Sequence, residues 1–92
     1  MISIDMRPRL AGKARLRFDR KGERYMLLYP EKGLVLNDTA AAVVKLCTGE
    51  HTVGGIIDSL AASYVEKPRE AIEREVLTFL GAMADRGLVV ET

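Results

Sequence analysis

The alternation of apolar and polar residues in the first half of the chain predicts a small antiparallel sheet. In the segment KARLRFD, Ala14, Leu16 and Phe18 share one face, and the arginines between them share the other. This strict alternation is typical of a half-buried strand. The connections are short, so we expect a meander with its third strand at an edge. The three strands are predicted over residues 13–19, 24–29 and 34–36.

The second and third predicted strands carry apolar residues on both faces, whereas a surface hairpin normally alternates. In YMLLYPEKGLVL, Tyr25 and Leu27 face one way and Met26 and Leu28 face the other. The connection over residues 30–33 suits a type I turn closed by a glycine that takes positive φ. One face can rest on the rest of the domain, and the pattern leaves open what covers the second.

The second half of the chain predicts three helices. The run Asn37-Asp38-Thr39 is rich in N-cap residues, and Thr52 is placed to cap a second helix. Pro68 suits the first turn of a third helix, which is expected to stop at Gly87.

A last short strand is predicted over residues 88–91. Together these elements indicate an α+β fold, winged helix-turn-helix-like, with an N-terminal three-stranded antiparallel sheet followed by three helices. We expect one domain over residues 1–92, with residues 1–6 as a flexible arm.

Charge is distributed unevenly, although the formal net charge is only +1. Residues 1–24 hold eight basic and three acidic side chains. Such a region can attract an acidic peptide or nucleic acid, or it is simply a solvated strand face and arm. Winged-helix folds often bind DNA through the third helix, so a nucleic-acid-binding regulator is the alternative function.

The third predicted helix argues against DNA binding. Between residues 69 and 86 it carries four acidic and three basic side chains, whereas a helix that faces phosphates is clearly basic. It also lacks Asn, Gln and Lys, which commonly read bases. A third class, a structural subunit or a fragment of a fused enzyme, would bind no short peptide.

Candidate catalytic chemistry is sparse. Cys47 falls on the buried stripe of the first helix, which is typical of a core thiol, and His51 lies in a turn beside a helix cap. A structural zinc site uses about four Cys or His ligands, and no GxGxxG or Walker sequence is present. We therefore predict a binding protein rather than an enzyme, with no catalytic residue, no metal site and no cofactor.

The sequence also predicts the compartment. No apolar stretch is long enough to span a membrane, and MISIDMRPRL lacks the apolar core of a secretory leader. A single cysteine cannot form an internal disulfide. We expect a cytoplasmic protein that does not associate with membranes.

The third helix offers a candidate groove. At about 100° per residue, Leu77 falls away from the core stripe, beside Glu73, Gly81 and Ala84. If the third strand lies along this flank, an extended peptide can add a strand to the free edge and place alternate side chains in the trough. A lone exposed leucine is the other interpretation.

The chain resembles the PqqD family, whose members act in the biosynthesis of pyrroloquinoline quinone (PQQ). The resemblance runs from about Arg7 to Val90 and rests on RPRL, the basic RLR strand, LLYPE, LNDTAAAVVKLCTGEHTV and the closing RGLV. The stretch from LLYPE through LCTGEHTV is the most specific part.

The resemblance implies a peptide chaperone of the type called a recognition element for ribosomally made, modified peptides. Such a protein binds the precursor peptide PqqA and presents it to the radical-SAM enzyme PqqE, which holds the iron–sulfur clusters. Related recognition elements take the peptide as an antiparallel strand beside the third strand and against the third helix. The strand positions implied here are Gly33, Leu34, Val35, Leu36 and Asn37.

A free apolar edge is also prone to self-pairing. We therefore expect that the chain can form a homodimer, by a swap of its N-terminal strands.

Overall fold

The computed structural model of the chain describes residues 2–91 and contains two antiparallel sheets and three helices. The strands β2, β3 and β4 form a three-stranded sheet in that order, and β1 pairs with β5 in a second sheet. The α+β class with three helices is therefore confirmed. The elements in chain order are β1 (Pro8–Leu10), β2 (Arg15–Asp19), β3 (Arg24–Tyr29), β4 (Lys32–Leu36), α1 (Asp38–Leu46), α2 (Val53–Ser63), α3 (Arg69–Asp85) and β5 (Val89–Glu91).

The inner face of the three-stranded sheet carries the apolar residues that join the core. The register places Leu16, Leu27 and Leu34 side by side across the sheet, and Leu27 is fully buried. Phe18 lies on the same face and packs edge-on against Tyr25, with ring centroids 5.0 Å apart. Its side chain stays 46% exposed, so the alternation predicts its direction but not its burial.

The outer face of this sheet keeps an apolar centre. Met26 lies opposite Val35, and Val35 is 52% exposed. Arg17, opposite Met26, and Arg15, opposite Leu28, flank them on β2. The helices thus cover the inner apolar face of the sheet. The outer apolar face, which includes Val35, stays partly exposed.

The turn between β3 and β4 differs from the predicted one. Its positive φ belongs to Glu31, at 61°, and Gly33 lies inside β4. Tyr29 pairs with Lys32, so the loop has two residues, and a type II turn with proline first needs positive φ at its second residue. The prediction that Gly33 supplies the positive φ is therefore wrong, and β4 begins two residues earlier than expected.

The helices begin where their capping residues predict. The side-chain oxygen of Asn37 accepts a hydrogen bond of 2.8 Å from the backbone of Ala40, and that of Thr52 accepts one of 3.0 Å from Gly55. The third helix ends before Gly87, whose φ is +70°. None of the helices within residues 2–91 is both long and apolar enough to cross a membrane.

The core lies between the inner sheet face and the three helices. Its fully buried larger side chains come from β1, β3, all three helices and the segment before β5, since apolar stripes on every helix converge there. They are Pro8, Leu27, Val43, Val53, Ile56, Ile57, Ile72, Val76, Leu80, Met83 and Leu88.

The strand β1 is the element that the sequence pattern does not predict. It has three residues, and its partner β5 lies at the other end of the chain, with Pro8 opposite Glu91. A strand this short shows no alternation, and proline is otherwise a poor strand former except at an edge or a first position. The pairing with β5 is what makes these residues a strand.

Residues 2–6, expected to be an arm, lie against the start of α2. The carbonyl oxygen of Met6 accepts a hydrogen bond of 2.8 Å from Val53, and that of Ile4 accepts one of 2.9 Å from Gly54. The side chain of Met6 is buried in the core cluster. The flexibility of this segment stays a prediction, and these contacts define how it docks.

Candidate functional site

The three-stranded sheet has β2 at one edge and β4 at the other, and the edge formed by β4 is the predicted one. The strand β4 pairs with β3 along one edge, and no strand within residues 2–91 pairs with its other edge. The two-residue loop closes on Tyr29 and Lys32. The residues that flank such a loop form a hydrogen-bonded pair. The N–H and C=O groups of every second β4 residue, Leu34 among them, therefore point toward β3. The N–H and C=O groups of Gly33 and Val35 then point away from the sheet.

A mostly apolar cavity of about 420 Å³ opens where β4 ends, between α1 and α3. Its floor includes Val43, which is fully buried, and small residues leave the space above it unfilled. We call it the α1–α3 cavity. It is lined by Asn37, Thr39, Ala40 and Val43 on one side and by Arg74, Glu75, Thr78, Phe79 and Ala82 on the other.

Asn37 lies between the edge formed by β4 and the α1–α3 cavity. It follows the last residue of β4 and caps α1, and its side-chain oxygen is used by the cap bond to Ala40. The side-chain NH₂ group remains a donor. A chain that runs along the edge of β4 therefore meets this amide as it reaches the α1–α3 cavity.

The α3 flank that borders the cavity is not the predicted one. On a helix with about 100° per residue, Thr78, Phe79 and Ala82 lie roughly opposite Leu77 across the core stripe. Leu77 is half-buried and packs against the core cluster. The predicted positions that do not line the cavity are Glu73, Leu77, Gly81 and Ala84.

The nine predicted site residues thus fall into three places. Gly33, Leu34, Val35 and Leu36 form the free edge, and Leu36 is buried beneath it. Asn37 lines the cavity. The four α3 residues lie on the other flank, and their role in peptide binding stays a prediction. Thr78 and Ala82, which line the cavity, are not among the predicted residues; their small side chains beside Phe79 are the signal in the sequence for an open space there.

The groups considered for catalysis are placed as packing or surface residues. Burial raises the pKa of the Cys47 thiol to about 12, which keeps it protonated and poorly nucleophilic at neutral pH. His51 is exposed. Within residues 2–91, no three His, Cys, Asp or Glu side chains are grouped to hold a metal ion.

The chain is a small α+β domain with an open sheet edge and an apolar cavity at its surface. The chain belongs to the PqqD family: the family model, described as coenzyme PQQ synthesis protein D, matches residues 24–89.

Curated relatives match nearly the whole chain. A protein of Bradyrhizobium diazoefficiens named "PqqA binding protein" is 40% identical over 90 residues, covering 98% of this chain and 86% of the relative. A "Bifunctional coenzyme PQQ synthesis protein C/D" of Methylorubrum extorquens is 39% identical over 86% of this chain, which spans 21% of that longer protein.

A solved structure has the same fold. The solution NMR structure of the PqqD part of Methylobacterium extorquens PqqCD is described as a functional, stand-alone recognition element for ribosomally synthesised, modified peptides. It superposes with a TM-score of 0.82 at 34% identity, covering 98% of this chain and 95% of the other.

Proposed function

We propose that this protein is a peptide chaperone of PQQ biosynthesis that binds the precursor peptide PqqA. The peptide adds as an antiparallel strand to the free edge of β4 and places a side chain in the α1–α3 cavity. One observation supports this proposal: the register leaves the N–H and C=O groups of Gly33 and Val35 unpaired at the edge of β4, and Asn37, which follows β4, lines that cavity. Strand addition uses such groups for affinity and an adjoining pocket for specificity.

The wider role rests on the family rather than on the geometry. Relatives at 38–40% identity carry the name of a PqqA-binding protein, and family membership favours presentation of the bound peptide to the radical-SAM enzyme PqqE. We further propose that the protein is cytoplasmic and has no enzymatic activity of its own. In this proposal the fold is winged helix-turn-helix-like but binds a peptide instead of nucleic acid. A swapped dimer would compete with the peptide for free strand edges.

The test is the pair of substitutions Ala82→Phe and Ala84→Phe, one on each flank of α3. Ala82 lines the α1–α3 cavity, and a phenyl ring there fills the space meant for a peptide side chain. A buried side chain contributes about 1.5–3 kcal/mol, so Ala82→Phe should weaken PqqA binding by at least about tenfold. Calorimetric titration with the PqqA peptide measures the change.

Ala84→Phe is the matched control, because Ala84 lies on the α3 flank that the sequence predicts for peptide binding but does not line the α1–α3 cavity. It should bind PqqA nearly as tightly as the unaltered protein. The opposite outcome, with loss on Ala84→Phe alone, would move the groove to the flank of Leu77. No binding of PqqA by the unaltered protein would reject the proposed function, and a duplex DNA titration beside it tests the nucleic-acid alternative.

A further inference from the structure

A second cavity lies at the other end of β4 and is surrounded by positive charge. It has a volume of about 470 Å³ and is lined by Lys13, Tyr29, Pro30, Lys32 and Arg86. A Cβ added to Gly87 would lie 3.4 Å from the ammonium nitrogen of Lys13, which places this cation beside the end of α3. Lys13, Lys32 and Arg86 are called the basic cluster below.

The basic cluster has no anionic partner among residues 2–91. None of its three side chains makes an ion pair or a side-chain hydrogen bond there. Glu31 and Asp85 are next to Lys32 and Arg86 in sequence, yet neither pairs with them. Cations stabilise the C-terminal end of a helix, which explains Arg86, but Lys32 comes from the sheet. Three like charges that share a cavity favour an anion brought by a ligand.

The basic cluster and the α1–α3 cavity lie at the two ends of one surface. Lys32 begins β4, and Asn37 follows its last residue. Arg86 lies on the same flank of α3 as Phe79 and Ala82, since residues three, four and seven apart share a helix face. An extended strand beside β4 therefore has an apolar cavity at one end and a positive one at the other.

We propose that the basic cluster is a subsite for a carboxylate of the bound peptide, an aspartate or glutamate side chain. This inference rests on strand addition at β4, as proposed above. Antiparallel addition is expected in an antiparallel sheet, and it runs opposite to β4, from Asn37 toward Lys32. The carboxylate then lies C-terminal to the apolar residue that enters the α1–α3 cavity, by about five residues or about 17 Å of extended chain.

The experiment removes two charges of the cluster and, as a control, two charges elsewhere. Lys32→Gln with Arg86→Gln is compared with Arg20→Gln with Lys21→Gln, which lies in the turn at the opposite end of the three-stranded sheet. PqqA peptide is titrated into each variant at low and high salt. We expect about tenfold weaker binding for the cluster variant at low salt and less than about twofold for the control.

A second series locates the carboxylate on the peptide. Each acidic side chain of PqqA is replaced in turn by its amide, and each peptide is titrated into unaltered protein and into the cluster variant. One replacement should weaken binding to the unaltered protein but not to the cluster variant, since the pair it removes is already lost.

The outcomes separate the two proposals. If the unaltered protein binds PqqA and the cluster and control variants bind it equally, the subsite is overturned while strand addition stands. The subsite is likewise overturned if every amide replacement in PqqA has the same effect on binding to the unaltered protein and to the cluster variant. If the unaltered protein does not bind PqqA, both proposals fail. Circular dichroism melting of each variant shows that exposed-residue changes leave the fold intact.

Discussion

Cys47 shows how one residue can serve the fold without offering chemistry. It follows the last residue of α1, its backbone N–H donates to Val44, and its side chain is 4% exposed. Desolvation disfavours the thiolate and raises the pKa of Cys47 to about 12. The same burial that contributes to the core therefore removes the nucleophile.

We expect the Cys47 thiol to resist alkylation in the folded protein and to react fully in urea. Below pH 9.0, the ordinary pKa of an exposed cysteine, the thiol is protonated in both states. Above it the unfolded thiol ionises first, so stability should fall as the pH rises from about 9 toward 12. Cys47→Ala should reduce this loss, measured by urea unfolding at about pH 8 and about pH 10. Rapid labelling in native buffer would contradict the burial.

Alternate residues of β4 have different roles. Leu34 and Leu36 pack inward, while Val35 presents its side chain to solvent and its peptide groups to the free edge. An edge position tolerates proline because no ladder hydrogen bond is lost there. Proline substitutions at the neighbouring residues Leu34 and Val35 should therefore affect stability and binding separately.

Val35→Pro should leave the fold nearly intact and weaken PqqA binding, because it removes the outward N–H that a guest strand needs. Leu34→Pro removes an N–H directed at β3 and should lower the melting temperature. Val35→Thr keeps the N–H and is the control for side-chain loss. Circular dichroism melting and calorimetric titration give the two readings. Normal binding by a folded Val35→Pro protein would exclude strand addition at this edge.

The elements that the sequence predicts are those with local causes. Asn37 and Thr52 cap their own helices, and alternation marks β2, so these need no distant contact. The β1–β5 pairing joins opposite ends of the chain, and its short strands carry no period. The flank of α3 that borders the cavity could not be predicted for a related reason: periodicity identifies the core stripe of Ile72 and Val76, but both flanks border that stripe equally. Only the packing of α1 shows which flank has the cavity.

At the scale of the whole molecule, the first residues complete a helix in the second half of the chain. The carbonyls of Met6 and Ile4 accept from the first two N–H groups of α2, and Thr52 serves the third. These donors have no partner within a helix. The N-terminal segment therefore acts as part of the cap of α2.

Deletion of residues 1–6 should lower the free energy of unfolding by roughly 3.5–5 kcal/mol. It removes two backbone hydrogen bonds at about 1 kcal/mol each and the burial of Met6, worth about 1.5–3 kcal/mol. Urea unfolding measures the difference, with deletion of residues 1–3 as a control that keeps both carbonyls. An unchanged midpoint for the longer deletion would show that the segment is a flexible arm.

The antiparallel pairing of β1 with β5 places the two ends of the segment 8–91 side by side, since Pro8 faces Glu91, and residues 2–6 continue from there to the start of α2. Ends that lie close together favour the insertion of a domain into a longer chain. Circular permutation through that point is favoured by the same proximity.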